Sequence, residues 1–420
     1  MECALHGRGR QRTTLACTTV LLVAVCFACT SPGERPEYGA PAVEFQADEA
    51  AFAASWPGGG PPRLWTRELG PGYSGIVAGA DRVYTMFRND LDEVVVGLDA
   101  RTGETVWEYR YEAPPARGHD SDYGDGPNAR PLLADGRLYS IGVAGILHCL
   151  DADTGEKLWS RDLWGDLGGN VLELGYSSSP IVYEDVVIVL VGTKDHSIVA
   201  LDPESGSVVW SNLSFENSYS TPRIINIHGE DQLVACMARE VIGVDLHGGA
   251  LLWRYPIVNQ WEQNIARPML IDDDLLFIST LEAGSRGLKL VPGAAFDVQE
   301  VWSTRRMQLF YTDAVLIGDL IYGSSGYSAA PLMTAIRAET GELAWRVRGF
   351  SVASLIGVRN RLVILDEEGK LALATPTPDG LTVHAEAQVS THPSRTAPTL
   401  SGTILYVRDF RNITALDLGK

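Results

Sequence analysis

The sequence predicts an all-β fold: an eight-bladed β-propeller of four-stranded antiparallel blades, closed by N- and C-terminal strands that share one blade. Three observations lead to this prediction. A ten-residue unit ending in Trp, best seen at residues 150–159, recurs at intervals of roughly 42 to 52 residues. A strand–turn–strand pattern opens each repeat. The last repeat is incomplete, and its missing strand stands at the start of the chain, an arrangement that closes a ring and protects its edges.

The ten-residue unit has the chemistry of a hairpin. In residues 150–159, Asp151 can accept backbone N–H bonds across the turn, and Gly155 supplies the positive φ that the reversal needs. The Trp that follows begins the outer strand, where it can stack between neighbouring blades and bury a large area. The residues predicted to carry this structural repeat are Asp99, Gly103, Trp107, Asp151, Gly155, Trp159, Asp202, Gly206, Trp210, Asp245, Gly249, Trp253, Gly341 and Trp345.

The openings of the repeats give the number of blades. They fall near residues 75, 130, 179, 221, 267, 312, 354 and 397, and several begin with Pro, which costs no ladder bond at the first residue of a strand. Blades 5 and 7 lack the turn motif but keep the opening strands and the spacing. Residues 64–69 form a lone last strand, and residues 399–418 supply the earlier strands of the same blade.

The first 29 residues have a different composition. Three arginines precede an uncharged apolar run that ends at Ala28, followed by Cys29. This pattern is typical of a secretory signal, and Cys29 resembles the lipidated Cys of a bacterial lipobox. The predicted organisation is a signal peptide at 1–29, a linker at 30–61 and the propeller at 62–420. A plain secreted protein and an uncleaved anchor are the alternatives. The expected location is the periplasmic face of the outer membrane or the cell surface.

The net charge limits the expected binding partners, and the cysteine positions limit the possible disulfide bonds. The formal net charge of −19 repels phosphate backbones and anionic head groups, so nucleic acid is not an expected partner and a lipid anchor is the expected membrane contact. Cys149 and Cys236 lie two repeats apart, too far for a disulfide in a ring of blades, and are predicted to be small buried side chains. A monomeric propeller is expected.

The Leu-Asp-x-x-Thr-Gly-x-x-x-Trp copies resemble the pyrroloquinoline-quinone-type propeller repeat, over about residues 64–418. That repeat occurs in quinoprotein dehydrogenases, in secreted quinone-binding-like propellers and in the propeller lipoprotein of the outer-membrane β-barrel assembly machine. The resemblance implies the fold more strongly than an activity. Quinoprotein dehydrogenases carry an adjacent Cys pair and a Ca²⁺ site, and this sequence has no adjacent Cys pair. No catalytic or cofactor-binding residue is therefore predicted, and the quinone is not expected.

One acidic segment is a candidate metal site. Residues 118–126 contain Asp120, Asp122 and Asp125 among glycines, and closely spaced oxygen ligands are what Ca²⁺ prefers. The segment lacks the distal Glu of known calcium loops. A solvated acidic turn is the alternative interpretation.

A candidate binding face comes from aromatic residues near the blade openings. Aromatic–hydroxyl pairs precede the opening strands, and two further tryptophans lie on long inter-blade loops outside the repeat; the residues are Tyr73, Tyr176, Tyr219, Tyr311, Trp164 and Trp261. They would surround the mouth of the central channel and could bind a sugar, a peptide or a partner segment. Packing of the rings between or over the blades is the alternative.

The function predicted from these observations is a non-catalytic, exported propeller scaffold that binds envelope proteins, in one version as part of outer-membrane protein assembly. Two alternatives remain open. One is a quinone- or metal-dependent oxidoreductase. The other is a carbohydrate- or peptide-binding module.

Overall fold

Eight four-stranded antiparallel sheets contain all the β-strands of the described residues. The computed structural model describes residues 52–53, 55–57, 59–114, 124–293, 296–327 and 331–419, and all of them belong to one compact unit, Glu37–Lys420. No helix occurs in these ranges, so the prediction of an all-β, eight-bladed propeller is confirmed.

The strands follow one another through the blades in chain order. They are β1 Arg63–Glu68, β2 Val77–Ala78, β3 Arg82–Asn89, β4 Asp92–Asp99, β5 Thr105–Glu112, β6 Leu132–Ala134, β7 Arg137–Ile141, β8 Ile146–Asp151, β9 Lys157–Asp162, β10 Ile181–Tyr183, β11 Val186–Thr193, β12 His196–Leu201, β13 Val208–Asn212, β14 Arg223–Ile227, β15 Glu230–Cys236, β16 Glu240–Asp245, β17 Leu251–Pro256, β18 Met269–Leu270, β19 Leu275–Thr280, β20 Gly284–Val291, β21 Asp297–Thr304, β22 Val315–Ile317, β23 Leu320–Ser325, β24 Leu332–Arg337, β25 Leu343–Val347, β26 Ala353–Val358, β27 Arg361–Asp366, β28 Lys370–Thr377, β29 Gly380–Gln388, β30 Thr399–Ser401, β31 Ile404–Arg408 and β32 Asn412–Asp417.

Seven sheets use four consecutive strands each, and the eighth closes the ring. Its order is β1-β32-β31-β30, so the strand nearest the N-terminus pairs with the last strand. Trp65 lies opposite Ala415 and Thr66 opposite Thr414, whose hydroxyls are 3.0 Å apart. The shared blade predicted from the two incomplete ends is therefore confirmed.

The core lies between neighbouring blades. The second and third strands of a blade are buried on both faces, as in the run from Val187 to Val191 on β11, where no side chain is exposed. Long β-branched runs suit such strands because both of their faces meet apolar neighbours. One apolar cluster joins residues of β7 and β8 to residues of β11 and β12, across one blade junction. Cys149 and Cys236 are buried free thiols in this core.

The repeated hairpin joins one blade to the next. Gly155 has a φ of +74°, and Asp151 accepts the backbone N–H of Thr154 at 2.8 Å. Trp107 of the preceding blade packs against this turn, since a Cβ on Gly155 would lie 2.5 Å from its ring. Its Nε1 donates to the Ala152 carbonyl at 2.9 Å. The glycine is therefore needed twice, for its backbone conformation and for the approach of the indole.

The same contact recurs around the outer rim of the described propeller. Five indoles donate to a carbonyl of the next blade: Trp65 to Ala100, Trp107 to Ala152, Trp159 to Pro203, Trp302 to Ala338 and Trp345 to Thr377. Trp253 differs, because it donates within its own blade to Gln232 Oε1 at 2.8 Å. We call the contacts made by these tryptophans the rim junctions.

The N-terminal part of the predicted domain organisation lies mostly outside the described residues, including Cys29 and residues 1–51. Two residues assigned to the 30–61 linker pack on the propeller: Phe52 is buried in the cluster between the last two blades, and Trp56 lies against it. Ala53 also donates its backbone N–H to the Leu418 carbonyl at 2.9 Å. These residues of the predicted linker therefore contact the propeller. Within the described ranges, the structure contains no helix long and apolar enough to span a bilayer.

Candidate functional site at the channel mouth

The segments that enter the blades converge on a cavity of about 210 Å³. Its lining comes from the residues just before the first strands of seven of the eight blades. We call this cavity the channel mouth. In six of these blades the lining residues stand two and four positions before the first strand, as Tyr311 and Asp313 do before β22, and in the closing blade residues 395–399 line the cavity. This spacing is that of an extended segment, in which alternate side chains share one side.

Three of the four predicted tyrosines line the channel mouth: Tyr73, Tyr219 and Tyr311. Tyr311 donates its hydroxyl to Glu367 Oε2 at 2.7 Å, and Tyr219 accepts the backbone N–H of Leu174 at 3.3 Å. The neighbouring Ser74 donates instead to the Ala129 carbonyl of the next blade at 2.7 Å. The tyrosines therefore surround the cavity, while this paired hydroxyl links two blades.

Tyr176 takes a different position. Its side chain is fully buried, its hydroxyl donates to the Leu190 carbonyl at 2.7 Å, and burial raises its pKa. It stands five residues before β10, whereas Tyr73 stands four before β2, and one step along an extended chain reverses the side chain. Trp164 packs on Tyr176 with ring centroids 6.4 Å apart and is half-buried. These two aromatics pack over the blade, the alternative that the sequence left open, and Ser177 lines the cavity instead of Tyr176.

Arginines are the feature of the cavity that the sequence analysis missed. Arg130, Arg267 and Arg395 line it together with one carboxylate, Asp313. Arg267 donates from Nε to Asp313 Oδ2 at 2.8 Å, and its Nη2 lies 2.6 Å from the same oxygen. A signal was present, because Arg-Pro opens two of the repeats, at 130–131 and 267–268. These two openings lie in different blades, and only the closed propeller brings them to one cavity.

The electrostatics of the cavity follow from these charges. Burial, together with the nearby charge of Arg267, lowers the pKa of Arg130 to about 9. Arg395 lies 3.5 Å from Glu367 and 5.8 Å from the centre of the Tyr73 ring. The channel mouth is therefore a positively charged site in a strongly acidic chain.

Three consecutive inter-blade loops, 163–180, 213–222 and 257–268, form a second surface that we call the loop face. They are tied together in order: Leu174 donates to the Tyr219 hydroxyl, and Tyr219 donates its backbone N–H to the Asn264 carbonyl at 3.2 Å. A groove of about 410 Å³ lies between the middle loop and the hairpin that joins β15 to β16. Trp261 is 60% exposed on the third loop.

The predicted calcium site remains a prediction. Asp120 and Asp122 lie outside the described residues. Asp125 lies within them, and its carbonyl accepts from Arg88 Nε at 3.0 Å. Among the described residues, no group of three or more His, Cys, Asp or Glu side chains is placed to hold a metal ion.

Comparison with known proteins identifies the family. The model of the family described as outer membrane protein assembly factor BamB matches residues 91–345, more than half of the chain. The chain belongs to this family. The match includes the three loops of the loop face and the channel-mouth residues from Asn128 to Asp313, and it confirms the resemblance to quinone-type repeat propellers.

Curated relatives include members with two different names. Outer membrane protein assembly factor BamB of Alkalilimnicola ehrlichii is 26% identical over 47% of this chain and 46% of its own length. Quinoprotein alcohol dehydrogenase PedH of Pseudomonas putida is 30% identical over 36% of this chain and 25% of its own length. The chain thus matches between a quarter and just under half of the length of these relatives.

Solved structures resemble the whole propeller. The crystal structure of BamB from Moraxella catarrhalis has a TM-score of 0.61 at 17% identity, covering 85% of this chain and 97% of that chain. A quinohemoprotein alcohol dehydrogenase from Pseudomonas putida has a TM-score of 0.62 at 12% identity, covering 85% of this chain and 76% of that chain. At these identities the likeness establishes the fold alone.

Proposed function

We propose that this BamB-family chain is a non-catalytic scaffold of the cell envelope that binds protein partners through the loop face, in outer-membrane protein assembly. The observation that carries the proposal is an exposed tryptophan on a rigid loop. Trp261 shows 60% of its surface, and Val258 on the same loop shows 55%. Exposed aromatic side chains held in place are typical anchors of protein interfaces.

The loop that carries Trp261 is held by its own hydrogen bonds. Asn259 Oδ1 accepts the backbone N–H groups of Trp261 at 3.0 Å and Gln263 at 3.2 Å, and Asn259 Nδ2 donates to Thr280 at 2.9 Å. Asn259 itself is 5% exposed. Because the backbone is already ordered, a partner that covers Trp261 would lose little conformational entropy on binding.

The groove beside this loop supports the same surface. It is lined by apolar and charged side chains, including Phe215, Met237 and Glu216. Arg239, also in its lining, forms an ion pair at 2.5 Å with Glu262, the residue that follows Trp261. A groove of mixed polar and apolar lining beside exposed hydrophobic side chains, with charged groups around it, is compatible with a binding patch.

A pull-down tests the scaffold. The full chain and a Val258→Ala/Trp261→Ala variant are used to recover partners from detergent-solubilised envelope of the source cells. The matched control is Val208→Ala/Val209→Ala, which removes two exposed side chains of the outer strand β13. We expect the wild type and the control to recover barrel-assembly subunits and the loop variant to lose them. Recovery of none by the wild type excludes the assembly role, and equal recovery by the loop variant excludes the loop face.

We further infer that the chain is exported as a monomer and tethered to the periplasmic side of the outer membrane by a lipid on Cys29. The basic start and apolar run before Cys29 support this inference. Cys29→Ala should move the protein from the membrane fraction to the soluble fraction, whereas Cys26→Ala, in the same segment, should leave it membrane-bound. If both variants fractionate alike, the Cys29 tether is wrong.

The quinoprotein relatives make an oxidoreductase the second candidate. A cofactor held in the channel mouth would be expected to raise the melting temperature. Incubation with pyrroloquinoline quinone and Ca²⁺ that leaves the melting temperature unchanged removes this candidate. A sugar- or peptide-binding role for the channel mouth would depend on Tyr73, Tyr219 and Tyr311, because Tyr176 is buried.

A further inference from the structure

The charge of the channel mouth opposes that of the chain. The whole sequence has 34 Lys and Arg against 53 Asp and Glu, but the cavity is lined by three arginines and one aspartate. A positive cavity in an acidic protein concentrates field lines of one sign and attracts small anions from solution.

Arg130 is the least compensated of these charges. Its Nε donates to the Ile76 carbonyl at 2.7 Å, and none of the described residues gives its guanidinium a carboxylate partner. The side chain also packs tightly, because a Cβ on Gly75 would lie 2.7 Å from Arg130 Cβ. The guanidinium is therefore fixed beside the cavity without an anion to neutralise it.

Arg267 supplies a second guanidinium to the same cavity. Asp313 engages its Nε and Nη2, and its Nη1 is buried with no hydrogen-bond partner among the described residues. An unpaired donor on a buried charged group costs free energy unless a ligand satisfies it. Burial, with a further contribution from the nearby charge of Arg267, lowers the pKa of Arg130 to about 9, as expected where like charges face one small space.

We propose that the channel mouth binds a small organic carboxylate, held by the guanidinium groups of Arg130 and Arg267. Planar guanidinium groups match carboxylates with paired hydrogen bonds. The rings of Tyr73 and Tyr311 give the cavity apolar walls, which favours an anion with a carbon body over inorganic phosphate. A volume of about 210 Å³ admits a free di- or tricarboxylate or the terminal residue of a peptide.

This proposal does not depend on the scaffold function, because Val258 and Trp261, which carry that function, do not line the channel mouth. Calorimetric titration of the full chain in chloride buffer with citrate, succinate and inorganic phosphate measures the binding. A short peptide with a free C-terminus and the same peptide amidated distinguish a chain end from a free acid. We expect at least one carboxylate to bind more tightly than phosphate.

Two variants that should change the carboxylate affinity in opposite directions test the location of the site. Arg130→Met keeps the apolar stem and should weaken carboxylate binding about tenfold or more, as expected for loss of a charged hydrogen-bond donor. Asp313→Asn removes the carboxylate that competes for Arg267 and should tighten binding several-fold, a gain that misfolding cannot produce. Arg254→Met, an exposed arginine on β17, is the matched control and should change nothing.

Carboxylate binding that falls in Arg130→Met and rises in Asp313→Asn supports the proposal, and preference for the free over the amidated peptide assigns the ligand to a chain end. Binding of phosphate alone, binding of no anion above chloride, or affinities that neither variant changes would overturn it.

Discussion

The rim junctions and the channel mouth use the repeat in opposite ways. At the rim, five tryptophans make one contact, an indole N–H to a carbonyl of the next blade. At the mouth, the residue two positions before the first strand varies from blade to blade; the lining residues there are Gly75, Arg130, Ser179, Thr221, Arg267, Asp313 and Ala397. Blade packing needs the same surface at every junction, whereas a binding cavity needs several kinds of group at one place.

The junction between the first and second full blades differs from the apolar core between other blades, because it contains buried polar and charged side chains. Glu93 is buried there, accepts from the Val143 N–H at 2.9 Å and from the Tyr111 hydroxyl at 2.6 Å, and lies 3.4 Å from Arg88. Burial raises the pKa of Glu93. The His148 ring packs against the tilted Tyr111 ring with centroids 4.1 Å apart. The contribution of blade packing to stability can therefore be measured at an ordinary rim junction and at this polar junction.

The largest effect is expected for Trp107→Ala. The substitution removes a buried indole and its bond to Ala152, and large-to-small changes of this kind cost about 3–5 kcal/mol of unfolding free energy. Denaturant titration measures it. Trp107→Phe keeps a ring and loses the hydrogen bond, so it should cost about 1–2 kcal/mol. A cost for Trp107→Ala as small as that of a surface change would show that the rim junctions do not hold the blades.

Gly155→Ala should also destabilise the fold, by a smaller amount than Trp107→Ala. The added Cβ would lie 2.5 Å from the Trp107 ring at a residue with a φ of +74°. Gly136→Ala is the matched control, since its φ is +73° and nothing lies within 4 Å of the added atom. The control should lose about 1 kcal/mol, the cost of the left-handed backbone alone, and Gly155→Ala at least about twice that. Equal losses would mean that backbone strain, and not the indole contact, explains the glycine.

The polar junction should make stability depend on pH. Burial, with a smaller effect from Lys157, lowers the pKa of His148 to about 4 from its usual 6.5. The unfolded chain therefore takes up this proton first, so the His148 contribution is present above pH 6.5 and is lost as the pH falls toward 4. The loss should reach roughly 3 kcal/mol. His148→Phe should flatten the curve of unfolding free energy between pH 6.5 and 4; a curve parallel to wild type would contradict the shift.

The smallest stability effect is expected for Trp261→Ala. The side chain is mostly exposed, so the unfolding free energy should change by no more than about 0.5 kcal/mol. The same substitution should weaken partner recovery, because an interface anchor acts only in the complex. A large loss of stability would place Trp261 in the fold and remove the distinction between the loop face and the rim.

The difference between rim and mouth also explains what could be predicted from the sequence. The hairpin is local chemistry: Asp151 bonds two and three residues onward, and Gly155 sets the turn, so each copy is visible by itself. The number of blades and the closing pair follow from counting such copies. The candidate site is not local, because Arg130 and Arg267 stand in different blades and meet only in the closed ring.

The direction of each side chain was the second feature that could not be predicted from the sequence. Tyr176 and Tyr219 are both followed by Ser, but they stand five and four residues before their strands. A single extra residue turns Tyr176 into the core and Tyr219 toward the cavity. Strand ends are difficult to locate to one residue from sequence, so the inward and outward members of the set could not be separated.

The closing blade delays the pairing of its first strand until the end of the chain is available. Thr66 and Thr414, whose hydroxyls meet across this seam, are separated by 348 residues. β1 leaves the ribosome first but finds its neighbour only after nearly all of the chain has been made. Until then its exposed backbone groups are open to wrong pairings, so protection by chaperones before the ring closes should matter most for this one strand.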